Sequence, residues 1–116
     1  MAIKMKGDLG FVEYAEDVLS AIAGTATMEC YGVVGMASKR TTDGLWELLK
    51  RENLSKGIKI IANTDDISVD IFIIVEYGTK ISVIANNIIQ KVKYTLEGMT
   101  GLKVSKVTVY VQGIRV

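Results

Sequence analysis

Histidine is absent from the 116 residues. With it go the commonest general base near neutral pH, the commonest transition-metal ligand and every catalytic dyad or triad built on imidazole. Proline is also absent, so the eleven glycines are left to end helices and turn strands. The single Cys30 cannot form an internal disulfide, and the N-terminus shows no basic start followed by an apolar run and a cleavage site. A reducing, cytoplasmic setting is the expectation. An excess of one charge is lacking as well: 14 Lys and Arg stand against 13 Asp and Glu, a net +1. That is far from the balance left by proteins that neutralise phosphate backbones, so a nucleic-acid partner is not expected. No apolar run approaches the ~20 residues that a membrane-spanning helix needs. Ile71 to Val75 is the densest such run, and Asp70 and Glu76 bound it.

What is present suits a packed fold. Hydrophobic residues make up 49% of the chain, and a chain of this length removes roughly two-thirds of its unfolded surface from water. A single domain over residues 1–116 is expected. From Ala15 to Cys30, Val18, Leu19, Ile22, Ala23 and Ala26 recur at helical spacing, with Glu16 and Asp17 in the first turn. The small residues Ala23 to Ala26 suit close backbone packing. Val33 to Ala37 reads as a short strand, and Leu45, Trp46, Leu48 and Leu49 as a short second helix.

Gly57 to Ala62 and Ile67 to Tyr77 are rich in Ile and Val and flank the turn cluster Asn63 to Asp66, which predicts an antiparallel hairpin. With Thr64 and Asp65 at the tip, paired positions sum to 129. Ile60 then meets Val69, Ile58 meets Ile71, and Lys59 meets Asp70 on the other face. Thr79 to Gly98 predicts the longest helix, with Ile81, Ile84, Ala85, Ile88, Val92, Leu96 and Met99 along one stripe. Val104 to Val111 predicts a last strand, alternating Val107, Val109 and Val111 with Thr108, Tyr110 and Gln112. The expected class is α+β: a two-layer domain with a mixed sheet of four to five strands and three helices, in the order β-α-β-α-β-β-α-β.

Few motifs carry chemistry. Gly32 to Gly35 and Gly98 to Gly101 have the GxxG spacing of KH-type RNA clamps. The inner residues of the first are both valine, and the second lies between a helix and a strand, so helix termination by glycine explains both. There is no phosphate loop or dinucleotide fingerprint. Asp65, Asp66 and Asp70 lack the spacing of a calcium loop. Cys30, near a helix C-terminus, is expected to be a packing residue whose pKa the dipole raises. No catalytic, metal-ligating or cofactor-binding residue is assigned. From Tyr77 onward, six cations face the one anion Glu97, a local excess of five. Lys91, Lys93, Lys103 and Lys106 are the candidate basic contact surface, suited to an acidic partner or an anionic membrane surface. Even positions of the central strand place Phe72 and Ile74 on the face otherwise given to water, with Tyr110 beside them. An apolar patch needs a cover or a partner. Trp46 or Leu49 is the candidate cover; self-association or a partner protein through Phe72, Ile74 and Tyr110 is the alternative.

The blocks Glu76-Tyr77-Gly78, Ala85-Asn86-Asn87-Ile88 and Met99-Thr100-Gly101-Leu102-Lys103-Val104 resemble the signature of the alkaline shock protein family of Gram-positive envelope-stress-response proteins. Ala21-Ile22-Ala23-Gly24, Gly32-Val33-Val34-Gly35-Met36, Asp43-Gly44-Leu45, Ser55-Lys56-Gly57-Ile58 and Val107-Thr108-Val109-Tyr110-Val111 agree in order along the chain. The family usually has a serine and a proline at the start of the long helix, where this chain has Lys80 and Ser82, and a serine cap where this chain has Tyr14. The resemblance implies a cytoplasmic, non-enzymatic protein of envelope homeostasis, held at the membrane by a membrane-anchored protein partner or by homo-oligomerisation. It supplies no catalytic residue. An accessory role in fatty acid metabolism is implied by resemblance alone; a KH-like RNA-binding module is the alternative from the GxxG spacing.

Overall fold

The computed structural model describes residues 2–37 and 57–116. Among them six strands and two helices follow one another: β1 (Ala2–Gly7), β2 (Gly10–Ala15), α1 (Glu16–Met28), β3 (Val33–Met36), β4 (Ile58–Ala62), β5 (Ile67–Glu76), α2 (Ile81–Thr100) and β6 (Val104–Arg115). The class is α+β. The helix expected at Leu45 to Leu49 lies outside the described residues. Where one strand was expected before the first helix there are two, a separate antiparallel hairpin turning at Gly7 to Gly10. Its register runs from Ala2 opposite Ala15 to Gly7 opposite Gly10.

β5 is the centre of the four-stranded sheet. β4 pairs antiparallel with its first half, and β3 antiparallel with its second. β6 runs parallel along its full length, from Ile67 opposite Val104 to Glu76 opposite Arg115. A strand has two hydrogen-bonding edges, so β3 and β4 share one end to end and β6 takes the other. The β4–β5 register sets Ile58 opposite Ile71, Lys59 opposite Asp70 and Ile60 opposite Val69, the hairpin that the alternation specifies. The tip is held by the Asn63 N–H donating to the Asp66 carbonyl at 2.9 Å and by Asn63 Nδ2 donating to Asp66 Oδ1 at 2.6 Å.

Alternation then builds the core. Ile67, Val69, Ile71, Ile73 and Val75 are all buried on one face of β5, against both helices. On α2 the buried side chains are Ile84, Ile88, Val92, Leu96 and Thr100, a strict four-residue step, while Ile81 and Met99 at its ends are exposed. α1 buries Leu19, Ala23 and Ala26 with Ser20, Gly24 and Thr27, a narrow small-residue face; Val18, expected within the stripe, is exposed. Thr27 is tolerated there because its Oγ1 donates to the Ala23 carbonyl at 2.8 Å.

The two joints of the β5–α2–β6 crossover are built by the Glu76-Tyr77-Gly78 and Met99-Thr100-Gly101 blocks. Gly78 has φ +91°, and Thr79 Oγ1 donates back to the Glu76 carbonyl at 2.5 Å. At the far end Gly101 adopts φ +75° and its N–H closes on the Glu97 carbonyl at 3.0 Å, a left-handed helix cap. Thr100 Oγ1 accepts from the Leu102 N–H at 3.2 Å, and Glu97 Oε2 accepts from the Val104 N–H at 3.0 Å. Tyr14 Oη donates to the Thr100 carbonyl at 2.8 Å, tying β2 to this joint. Neither α1 nor α2 has a side-chain N-cap, consistent with Ala15 and Lys80 at those positions.

Candidate interaction surface

The sheet face turned away from the helices carries the even positions of β5. Lys59 and Thr108 flank Asp70, and Phe72 stands opposite Tyr110. The two rings stack with centroids 4.8 Å apart and planes 10° from parallel, a favourable aromatic geometry. Phe72 is half-buried and Tyr110 is 41% exposed. Ile74 lies on the same face between Gly35 of β3 and Gly113 of β6, two neighbours without side chains, yet it is only 1% exposed. Of the three residues expected to form one apolar patch, the structure brings Phe72 and Tyr110 together. Ile74 is buried and offers no surface to a partner. Trp46 and Leu49, the candidate cover, lie outside the described residues.

The four lysines do not form one surface. Lys106 is in register with Ser68 on the outer sheet face. Lys91 belongs to the opposite layer, where its Nζ lies 3.6 Å from Oε1 of Glu29, the C-cap residue of α1. Lys93, two residues along α2, is exposed. Lys103 lines an open cavity of about 350 Å³ between β1 and the β4–β5 turn, with Lys4, Lys6, Asp65 and Asp66. Carboxylates and ammonium groups share that cavity, so it has no strong preference for one ionic sign.

Cys30 is half-buried and its Sγ lies 3.6 Å from the Ala26 carbonyl. Burial pushes the thiol's pKa up; Lys91 acts to lower it and Glu29 to raise it. Desolvation is thus the leading cause, where the sequence pointed to the helix dipole. Among the described residues no group of three or more His, Cys, Asp or Glu could hold a metal ion, and no helix is long and apolar enough to cross a membrane. Gly32 precedes β3 with φ +90°, and Gly101 caps α2, so both GxxG segments contain helix or turn endings rather than a loop between two helices.

Two features of the surface escaped the sequence. β6 extends four residues beyond Val111 through a one-residue irregularity at Gln112, and among the described residues its second edge has no hydrogen-bonded strand. Gly113 inside the strand is the signal for such a bulge. The β1–β2 hairpin projects Leu9 and Phe11, both exposed, and the Gly-Asp-Leu-Gly turn between alternating runs is its signal.

Residues 4–116 match the model of the alkaline shock protein family, which is described as having a cell envelope-related function. The uncharacterized protein YloU of Bacillus subtilis is 45% identical over 117 residues, covering all of this chain and 98% of its own length. The uncharacterized protein Spy1614 of Streptococcus pyogenes serotype M6 is 40% identical, with 100% and 97% coverage. The uncharacterized protein YqhY of Bacillus subtilis is 33% identical over 107 residues, covering 92% of this chain and 78% of that protein. No solved structure is significantly similar.

Proposed function

From the premise that this chain belongs to the alkaline shock protein family, whose function is cell envelope-related, we propose that it is a non-enzymatic scaffold of envelope homeostasis. In this reading it works by self-association or by binding a protein partner, membrane-anchored in the simplest arrangement. The observation that supports the reading most is the stacked Phe72–Tyr110 pair, half open to solvent beside the β6 edge that no other described strand covers. Aromatic side chains held rigid by stacking lose little entropy on contact and are favoured anchors of interfaces. Burial also pushes the Cys30 thiol upward, away from nucleophilic use.

The test compares the wild-type chain with Tyr110→Lys. Light scattering gives the assembly state, and affinity capture from separated membrane and cytosolic fractions of a Gram-positive cell gives the partners. The reading expects Tyr110→Lys to stay folded while losing an assembly or a membrane-fraction partner. Reproducible turnover of a substrate, abolished by changing one polar residue, would overturn it.

A further inference from the structure

We propose that the second edge of β6 is a homotypic docking site, on which a second copy of this chain adds its own β6 antiparallel with Val109 on the two-fold axis. The proposal rests on the interaction reading above and names both the surface and its occupant.

β6 is twelve residues long, contains no proline, and among the described residues pairs only with β5. A row of backbone N–H and C=O groups therefore lies along its second edge without a partner among those residues, which is a template for another strand. The side chains show the same incompleteness. On the helix-facing side of the sheet, β5 buries every residue from Ile67 to Val75 in steps of two, whereas Val107, Val109 and Val111 of β6 are only partly buried. Their first edge is taken by β5, so a further strand on the second edge would extend the sheet beside them.

Two irregularities limit what can pair. The β5–β6 register skips one residue at Ser105 and another at Gln112, so the longest regular stretch of β6 runs from Lys106 to Val111. Bulges and terminal charges such as Lys106 and Arg115 discourage indefinite edge-to-edge growth. What remains between them is Val107-Thr108-Val109-Tyr110-Val111, whose alternation reads the same in both directions. In the antiparallel register with positions summing to 218, Val107 meets Val111 of the second copy, Val109 meets its own mate, and Thr108 meets Tyr110. Every valine stays on the core side and every polar-capable side chain on the outer face. A slip of one residue would set valines against the opposite face, which burial forbids. Lys106 then falls opposite Gln112 rather than another cation. A foreign strand has no such register imposed by β6, whereas a second copy does. Because the patch pairs with itself, the assembly closes as a dimer instead of growing into a fibre. The Phe72–Tyr110 stack would then lie beside Thr108 of the second copy, extending the outer face across the axis.

The experiment uses the full chain carrying Cys30→Ser, so that only introduced thiols react. Val109→Cys places two sulfurs across the axis, within the ~4.4–6.8 Å Cα separation that a disulfide tolerates. Val107→Cys alone does not, because it faces Val111. Under mild oxidation the Val109→Cys chain is expected to give severalfold more cross-linked dimer on a non-reducing gel than the Val107→Cys chain. The double variant Val107→Cys, Val111→Cys is expected to match Val109→Cys, and it reads the same register should the first variant fail to fold. Sedimentation of the wild-type chain over a range of concentrations is expected to show a monomer–dimer equilibrium. A chain that stays monomeric throughout overturns the proposal while leaving partner binding intact. A dimer in which cross-linking shows no preference for Val109 overturns the β6 edge while self-association stands.

Discussion

At the scale of single residues, close approach and burial decide most outcomes. A Cβ on Gly57 would lie 2.8 Å from Met36 Cβ and 2.9 Å from the Ala37 carbonyl oxygen, and backbone cannot yield as a flexible side chain does. Gly57→Ala is expected to cost about 1–3 kcal/mol as an overpacked site, measured by urea denaturation. Ile74→Lys should behave as a core lesion, because burying an ammonium group without a partner is strongly unfavourable; the melting temperature should fall sharply. Unchanged stability with altered assembly would show Ile74 to be a contact residue after all. Cys30 makes stability depend on alkaline pH. Burial raises its folded-state pKa above the unfolded one, so its contribution is complete below the ordinary thiol range and is lost as pH rises through the raised value. Urea midpoints compared between neutral pH and about pH 10 should fall less for Cys30→Ala than for the wild type.

At the scale of elements, the β4–β5 hairpin and the long helix follow from local pattern, and the crossover joints follow from hydrogen bonding. Alternation of large aliphatics with Lys59, Ser68 and Asp70 leaves one register with a dry face, and that register is the one seen. The β1–β2 hairpin is tied down differently. Ile3 is buried in the core, while Leu9 and Phe11 at the tip are exposed. Tyr14 anchors its base to the end of α2 by a hydrogen bond to Thr100. Tyr14→Phe removes one partly buried bond and should cost about 0.5–1.5 kcal/mol. Amide hydrogen exchange is expected to be fastest at the tip of this hairpin and slowest along β5, which neighbours protect on both edges. Equal protection in the two would show that the hairpin unfolds only with the core.

At the scale of the whole molecule, the excess of cations after Tyr77 is real in the sequence but dispersed in space. Lys106 sits on the outer sheet face, Lys91 beside Glu29 in the helix layer, and Lys103 among both signs of charge. Binding to anionic vesicles through a single basic patch is therefore not expected. Co-sedimentation with anionic vesicles at low salt should be weak, and no single Lys→Ala change among the four should abolish it. Strong binding lost with one lysine would restore the patch.

The sequence by itself determined the α+β class, the hairpin register, the long helix with Ile84, Ile88, Val92 and Leu96 on its buried face, and the family, because each is written in nearest-neighbour alternation or in contiguous blocks. Period two and period 3.6 are local properties of the chain, and the side chains that satisfy them lie within a few residues of one another. The tertiary structure alone decided the rest. That β6 runs parallel to β5, with no other described strand on its far edge, depends on where a twenty-residue helix returns the chain. That Phe72 meets Tyr110 while Ile74 falls between two glycines depends on register across strands joined through that helix. Burial of an outward position, separation of four lysines and the pairing of β6 with β5 across a helix are relations between distant segments, and the physical forces that fix them act only once the layers have packed.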